Sequence, residues 1–92
     1  MRRAVDSNTV LVVGSSPNFP NGSIDDLYEI NKIATDKNTC FHVDGCLGGF
    51  LLPYTTPPTI DGKDPGYSFN RLFSDLGAVT SMSVDPHKYG FT

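Results

Sequence analysis

The sequence predicts an α/β fold, a partial three-layer structure with a mainly parallel sheet. Three short segments, at about 10–13, 40–44 and 79–84, are rich in β-branched or alternating apolar residues, as strands are. A segment with helical spacing separates the first two strands. Strand, helix and strand within about 35 residues form a βαβ unit, which should have a right-handed crossover. We place this unit at about residues 9–44.

The length and net charge of the chain limit the number of domains and the kinds of partner that we expect. The chain has 92 residues, of which 38% are apolar, and a net charge of −3. One small domain fits this length, although a chain so short buries only about 60–65% of its unfolded surface. The mild acidity gives no electrostatic footprint for nucleic acid, so we expect no nucleic-acid partner. No stretch approaches the roughly 18 consecutive apolar residues of a transmembrane helix.

The first strand and the helix that follows it have recognisable signals. Residues 10–13 are apolar on both faces, which favours a central strand of a parallel sheet over an edge strand. Ser23 followed by Asp26 resembles a capping box, and Asn38 is a plausible helix end. The apolar residues between them recur at helical spacing: Ile24, Leu27, Ile30, Ile33 and Ala34.

Cys40 and Cys46 are the two cysteines of the chain. If residues 40–44 form a strand, the rise of about 3.3 Å per residue separates the two α-carbons by nearly 20 Å. A disulfide needs them within roughly 7 Å. We therefore predict two free thiols, which suit a reducing, cytosol-facing compartment.

Between the second and third strands the composition changes. Residues 53–67 contain four prolines and two glycines, which predicts an exposed, Pro-rich excursion. Residues 68–76 have the spacing of a short helix, through Phe69, Leu72 and Phe73.

The last strand leads to the most informative residues. The segment at about 78–90 contains a strand that should stop at Pro86, because proline lacks a backbone N–H and keeps the preceding residue extended. His87 and Lys88 are then displayed at the carboxyl end of the strand, where open α/β sheets bind ligands. A lysine fixed there can become an imine-forming amine, because its pKa drops readily when it is desolvated. Strand alternation places three polar residues on one face: Ser81, Ser83 and Asp85.

Two motifs resemble those of a known family. Segment 83–90, Ser-Val-Asp-Pro-His-Lys-Tyr-Gly, resembles the cofactor-lysine motif of the pyridoxal-phosphate-dependent decarboxylase family, whose fold is of the aspartate-aminotransferase type (fold type I). Segment 41–50, Phe-His-Val-Asp-Gly-Cys-Leu-Gly-Gly-Phe, resembles the second motif of that family. With segments 1–9 and 16–22, the sequence is similar to a branch of carbon–carbon lyases. The resemblance covers nearly the whole chain apart from about 52–76.

The resemblance implies a cofactor, pyridoxal 5′-phosphate, and roles for two residues above all. Lys88 matches the catalytic lysine that forms a Schiff base with the cofactor; without the resemblance, a surface lysine would be the ordinary interpretation. Asp44 matches the carboxylate that binds the protonated pyridine nitrogen and keeps the ring cationic. From spacing alone, a residue that caps the following turn is the more ordinary interpretation of Asp44.

The resemblance also suggests further cofactor-binding residues. His87 would donate to the cofactor phosphate, or else face solvent. Cys46 falls where the family keeps a small residue against the ring, and Gly45, usually alanine in the pattern, is expected to leave extra room. His42 shares a strand face with Asp44. Ser16, or its neighbour Ser15, could contact the cofactor oxygen O3′ or the substrate, or merely satisfy its own turn.

As a whole, the resemblance implies that residues 1–92 are an internal fragment of the large, cofactor-binding domain of a longer enzyme. That enzyme would cleave a phosphorylated sphingoid base, a small-molecule amine, into a long-chain aldehyde and phosphoethanolamine. It would be a homodimer and face the cytosol, with any endoplasmic-reticulum anchor outside this segment. The fragment alone should be inactive, because the other cofactor and substrate contacts lie outside it.

Two alternatives remain open from the sequence. A pyridoxal-phosphate-dependent amino-acid decarboxylase, acting on glutamate or aromatic amino acids, would share both motifs. A metal hydrolase is the alternative from another class, because nitrogen and oxygen ligands of two His/Asp pairs could hold zinc or manganese. Those pairs would be His42 with Asp44 and Asp85 with His87.

Overall fold

The computed structural model describes residues 1–59 and 61–92. Its sheet has three parallel strands in the order β1-β2-β3. The strands are β1 (Leu11–Ser15), β2 (Cys40–Asp44) and β3 (Val79–Ser83). The α-helices are α1 (Leu27–Lys37) and α2 (Leu72–Asp75), and short 3-10 helices cover Leu52–Tyr54 and Phe69–Arg71. The predicted α/β class and the parallel sheet are thus confirmed, and α1 connects the parallel strands β1 and β2.

Helix α1 begins later than the sequence predicted. Asp26, not Ser23, is its N-cap, and its side chain accepts a 3.0 Å hydrogen bond from the Glu29 N–H. The reason lies in Asp25, whose carboxylate accepts from the Ser15 N–H at 2.8 Å and whose own N–H donates to the Ser15 carbonyl at 3.0 Å. These two bonds tie residue 25 to the end of β1, so the helix starts only beyond it. Asn38 ends α1 in the left-handed conformation, as predicted.

The core lies between α1 and one face of the sheet. Gly14 permits close packing there, because a Cβ atom at this position would lie 2.8 Å from Leu27 Cδ2 and 3.0 Å from Ile30 Cδ1. Leu72 and Leu76, in and just after α2, close the same core beside β3. The buried sheet and α1 residues are Val12, Phe41, Val43, Val79, Leu27, Ile30, Ile33 and Ala34.

The other face of β1 is open. Leu11 and Val13 are 46% and 45% exposed, and β1 pairs with β2 alone among the described residues. The prediction that residues 10–13 form a central strand is therefore wrong for this structure, in which β1 is an edge. Helix α1 covers a single face of the sheet, so the apolar residues on the opposite face of β1 lack cover from the described chain.

The Pro-rich excursion is less exposed than predicted at its end. Pro57, Pro65 and Tyr67 are buried, and the rings of Tyr67 and Phe69 meet edge to face at 5.5 Å. Burial, together with nearby Asp26, raises the pKa of Tyr67 to about 12. Position 60 of the excursion lies outside the described residues. The predicted short helix is present as a 3-10 turn followed by α2, in which Phe73 is 54% exposed.

Candidate active site

Asp44 and Lys88 line one cleft of about 530 Å³. Asp44 is the last residue of β2, and Lys88 follows the end of β3 in the next loop. Because parallel strands end at the same edge of a sheet, the topology brings these two residues together from 44 positions apart. The other residues that line the cleft are Ser15, Pro17, Asn18, Phe19, Cys46 and Leu47.

The Asp44 carboxylate is held through one of its oxygens. Oδ1 accepts from the Cys46 backbone N–H at 3.1 Å and from the Ser83 hydroxyl at 3.0 Å. The nearby thiol and the backbone N–H of Cys46, with smaller contributions from Ser83 and nearby His42, hold the pKa of Asp44 below its usual value despite partial burial. Asp44 thus caps the following turn through Oδ1, while no described residue donates to Oδ2. The turn-capping role and a ligand-binding role are compatible.

The Lys88 amine is paired, not desolvated. Its Nζ lies 2.8 Å from Asp85 Oδ2 and 3.2 Å from Cys46 Sγ, and the side chain is 33% exposed. Hydrogen bonds to Asp85 and then to Cys46 raise the pKa of Lys88. Desolvation lowers this pKa, as expected, but its effect is smaller than that of the neighbouring acceptors, which stabilise the ammonium form.

Cys46 is one of the residues that line the cleft, and both cysteines are free thiols, as predicted. The extra room expected at Gly45 is absent. A Cβ atom there would collide with Met82 Cε and lie 3.0 Å from the Ser83 carbonyl oxygen. The absence of a side chain at Gly45 therefore allows the turn after β2 to lie close to strand β3.

The two histidines lie outside the lining of the cleft. His42 is on the same strand face as Asp44, with its Nδ1 2.8 Å from the Ser81 hydroxyl and its Nε2 3.4 Å from the Ser83 hydroxyl. The His87 side chain is 71% exposed and its Nε2 lies 3.8 Å from Asp85 Oδ2. The structure thus brings His42 behind Asp44 and leaves His87 largely in solvent.

Ser16 lies just beneath the cleft, where its neighbours Ser15 and Pro17 form part of the lining. Its residue is 1% exposed, its N–H donates to the Asp44 carbonyl at 2.8 Å, and its hydroxyl has no hydrogen-bond partner among the described residues. The Asn18 side-chain oxygen is likewise buried without one. Unpaired buried oxygens are uncommon and suit a site that receives a polar ligand.

Sequence reasoning did not identify Asn18 or Phe19 as cleft residues, or Ser83 as a partner of Asp44. The position of 18 and 19 after the carboxyl end of β1 was the available signal for the first two. For Ser83 the signal was its predicted place on the polar face of the last strand, but its cross-strand partner depends on register.

The arrangement does not favour a metal centre. Within residues 1–59 and 61–92, no three His, Cys, Asp or Glu side chains converge as metal ligands would. His42 is engaged with serine hydroxyls, and Asp85 is paired with Lys88. The metal-hydrolase alternative therefore lacks a ligand set.

Known proteins match the chain over nearly its whole length. No family model matches it. The sphingosine-1-phosphate lyase of Arabidopsis thaliana is 44% identical over 89 residues, or 97% of this chain and 15% of the relative. The enzyme of the same name from Dictyostelium discoideum is 44% identical over 99% of this chain and 16% of the relative. The chain belongs to the sphingosine-1-phosphate lyase family.

A solved structure supports the same assignment. A sphingosine-1-phosphate lyase from Burkholderia pseudomallei superposes with a TM-score of 0.77 at 43% identity, over 98% of this chain and 19% of that one. The predicted fold type, that of the fold-type-I pyridoxal-phosphate enzymes, is thereby confirmed. The chain spans about 15% of the length of the curated sphingosine-1-phosphate lyases. In the described residues, no helix combines the length and hydropathy needed to cross a bilayer.

The residues in the cleft fit the pyridoxal phosphate that a sphingosine-1-phosphate lyase family member is expected to use. The volume of about 530 Å³ lies in the usual range for small-molecule sites. The cleft offers an amine for the cofactor aldehyde, at Lys88, and an ionised carboxylate with a free oxygen for its ring nitrogen, at Asp44. The unpaired oxygens of Ser16 and Asn18 lie nearby.

Proposed function

We propose that the protein acts as a pyridoxal-phosphate-dependent carbon–carbon lyase that cleaves phosphorylated sphingoid bases into a long-chain aldehyde and phosphoethanolamine. The observation that carries this proposal is the shared cleft of Lys88 and Asp44, in a chain homologous to sphingosine-1-phosphate lyases. Residues 1–92 would be part of the large, cofactor-binding domain.

Bound pyridoxal phosphate would supply an aldehyde that condenses with amines and a cationic ring that withdraws electrons from a breaking bond. Lys88 would hold the cofactor covalently and, once displaced by the substrate amine, carry a proton to or from the reacting carbon. Asp85 and Cys46, which accept from the Lys88 ammonium group, would stabilise the protonated lysine between steps. Asp44 would keep its charge and bind the ring N–H through Oδ2.

The proposal also gives roles to the other predicted contact residues. Ser16 would form a hydrogen bond with the cofactor or substrate, and its unpaired hydroxyl beneath the cleft supports this role. Cys46 would pack against the ring from the cleft wall. His87 would have to turn from solvent to donate to a phosphate, and His42 would act only through Ser83.

The proposal extends to partners and location. The substrate is a small-molecule amine, no nucleic acid is involved, and the protein works as a homodimer. The two free thiols support a cytosol-facing site. Any attachment to the endoplasmic reticulum would lie outside these residues.

An activity assay tests this function. Full-length protein with pyridoxal phosphate and a phosphorylated sphingoid base should release aldehyde and phosphoethanolamine in equal amounts. Lys88→Ala should abolish the release, whereas Lys32→Ala, which removes an exposed lysine paired with Glu29 on α1, should not. Carbon dioxide released from glutamate or an aromatic amino acid, without aldehyde from the sphingoid base, would instead show a decarboxylase.

A further inference from the structure

A row of four polar side chains runs from strand β3 to Asp44. Ser81 lies opposite His42 in the sheet register, and Ser83 lies opposite Asp44. The Ser81 hydroxyl is 2.8 Å from His42 Nδ1, His42 Nε2 is 3.4 Å from the Ser83 hydroxyl, and that hydroxyl is 3.0 Å from Asp44 Oδ1. Directly opposed residues on one face of a sheet are the natural unit of side-chain contact.

The number of available protons determines which group donates in each hydrogen bond of this row. An ionised carboxylate can only accept, so the Ser83 hydroxyl must donate its single proton to Asp44. Ser83 can then only accept from His42, which places the His42 proton on Nε2 in the neutral ring. Nδ1 is left to accept from Ser81. The contact between His42 and Ser83 is long, so Ser83 is the strong link of the row and His42 a weaker support.

The contact between Ser83 and Asp44 matters because it involves only one of the two carboxylate oxygens. Ser83 and the Cys46 N–H both bind Oδ1, and Oδ2 has no donor in the described part of the chain. The carboxylate torsion is a broad, sp³–sp² rotation that by itself does not fix which oxygen faces the cleft. The Cys46 N–H and the Ser83 hydroxyl come from different parts of the chain and both donate to Oδ1, so together they fix the orientation of the carboxylate.

We propose that Ser83 is a positioning residue that holds Asp44 so that Oδ2 is presented to the ring nitrogen of the cofactor, with His42 and Ser81 supporting the Ser83 hydroxyl. This inference rests on the proposed function, because the ring nitrogen belongs to pyridoxal phosphate. Ser83 is not among the residues that line the cleft, so it would act through Asp44.

Strand β3 offers a matched control. Thr80 Oγ1 donates to the Phe41 carbonyl at 3.0 Å, so it also ties β3 to β2 through one hydroxyl, but it does not contact Asp44. Thr80→Val removes that tie and keeps the side-chain shape. A purely structural role for Ser83 would make Ser83→Ala and Thr80→Val behave alike.

The test compares two ligands on the full-length protein: pyridoxal phosphate and its carbocyclic analogue, in which a C–H replaces the ring nitrogen. Ser83→Ala should raise the dissociation constant for pyridoxal phosphate about five- to tenfold, the usual effect of one hydrogen bond, and leave that of the analogue unchanged. Thr80→Val should change neither constant, and Ser83→Thr, which keeps a hydroxyl, should restore binding.

Two results would overturn the proposal: an equal loss for both ligands in Ser83→Ala, or no loss for either. If Ser83→Ala does not fold, Ser83→Cys carries the same comparison, because a thiol of similar size is a weak donor. Failure of the proposed function would look different. The unaltered protein would then bind neither pyridoxal phosphate nor the analogue.

Discussion

The ammonium group of Lys88 lies 2.8 Å from a carboxylate oxygen of Asp85, three residues earlier in the chain. The backbone repeats the contact, because the Lys88 N–H points to the Asp85 carbonyl at 3.3 Å. Pro86 lies inside this turn and fixes one of its torsions. The candidate cofactor lysine therefore carries its own counter-ion, which favours the protonated form that cannot attack an aldehyde.

The first prediction concerns this pair. The Asp85 hydrogen bond is the largest cause of the raised pKa of Lys88, so Asp85→Asn should lower that pKa. More neutral amine is then present at a given pH, and the pH midpoint for covalent attachment of pyridoxal phosphate should move to lower pH. Stopped-flow absorbance at a series of pH values measures the midpoint.

Asp36→Asn provides the control, because Asp36 forms an exposed ion pair with Arg2 away from the cleft. Its midpoint should equal that of the unaltered protein. A midpoint in Asp85→Asn that stays in place or moves to higher pH would show that Asp85 does not control the lysine.

The second prediction concerns the packing under the cleft. A Cβ atom on Gly48 would lie 2.5 Å from the Ser16 carbonyl oxygen and 2.7 Å from Pro17 Cδ. Gly48→Ala must push the two loops apart and should reduce the free energy of unfolding by about 1–3 kcal/mol, as overpacking usually does. Urea unfolding of the full-length protein measures the change.

Gly77→Ala is the matched control for Gly48. No atom lies within 4 Å of a Cβ built on Gly77, and its backbone is outside the left-handed region. Removing a glycine there should leave stability unchanged or raise it by about 0.4–1 kcal/mol, through the unfolded chain. Equal urea midpoints for the two variants would contradict the close approach at Gly48.

The third prediction concerns Asp44. Asp44→Asn keeps an oxygen that can accept from Ser83 and Cys46 but removes the negative charge opposite the ring nitrogen. The lysine attachment should still form, whereas turnover of the sphingoid base should fall by roughly a thousandfold, since an ion pair in a dry site contributes several kcal/mol. Steady-state kinetics measure the loss in kcat.

Asp61→Asn is the corresponding control, because Asp61 is exposed in the excursion and has a φ of 50°, which asparagine tolerates. This variant should keep full turnover. Near-normal turnover in Asp44→Asn would show that the ring nitrogen does not depend on this carboxylate.

The fold was predictable where local signals agreed. Cys40–Asp44 is a strand with the bounds that the sequence predicted, and Asn38 ends the helix in the conformation that its side chain tolerates. The helix start was not predictable, because Asp25 is held by Ser15, ten residues away, and no local pattern shows this. The exposure of β1 also depends on which strands and helices surround it.

The sequence predicted where the candidate site residues lie in the fold, but not the protonation behaviour of the lysine. The two motifs made Asp44 and Lys88 the candidates, and both lie at one edge of the sheet because the ends of parallel strands meet there. The raised pKa of Lys88 could not be read in the same way. It depends on Asp85 turning toward the amine and on Cys46, 42 residues earlier, lying beside it. The Ser83 contact likewise required the register of β2 against β3.

The central claim is that Lys88 is the residue that binds pyridoxal phosphate covalently. The most direct measurement is borohydride reduction of the full-length protein with pyridoxal phosphate, followed by peptide mass spectrometry. We predict one phosphopyridoxyl group on the peptide that contains Lys88, and none in this chain at Lys32, Lys37 or Lys63. A reduced adduct on another lysine of the protein, with Lys88 unmodified, would contradict the account.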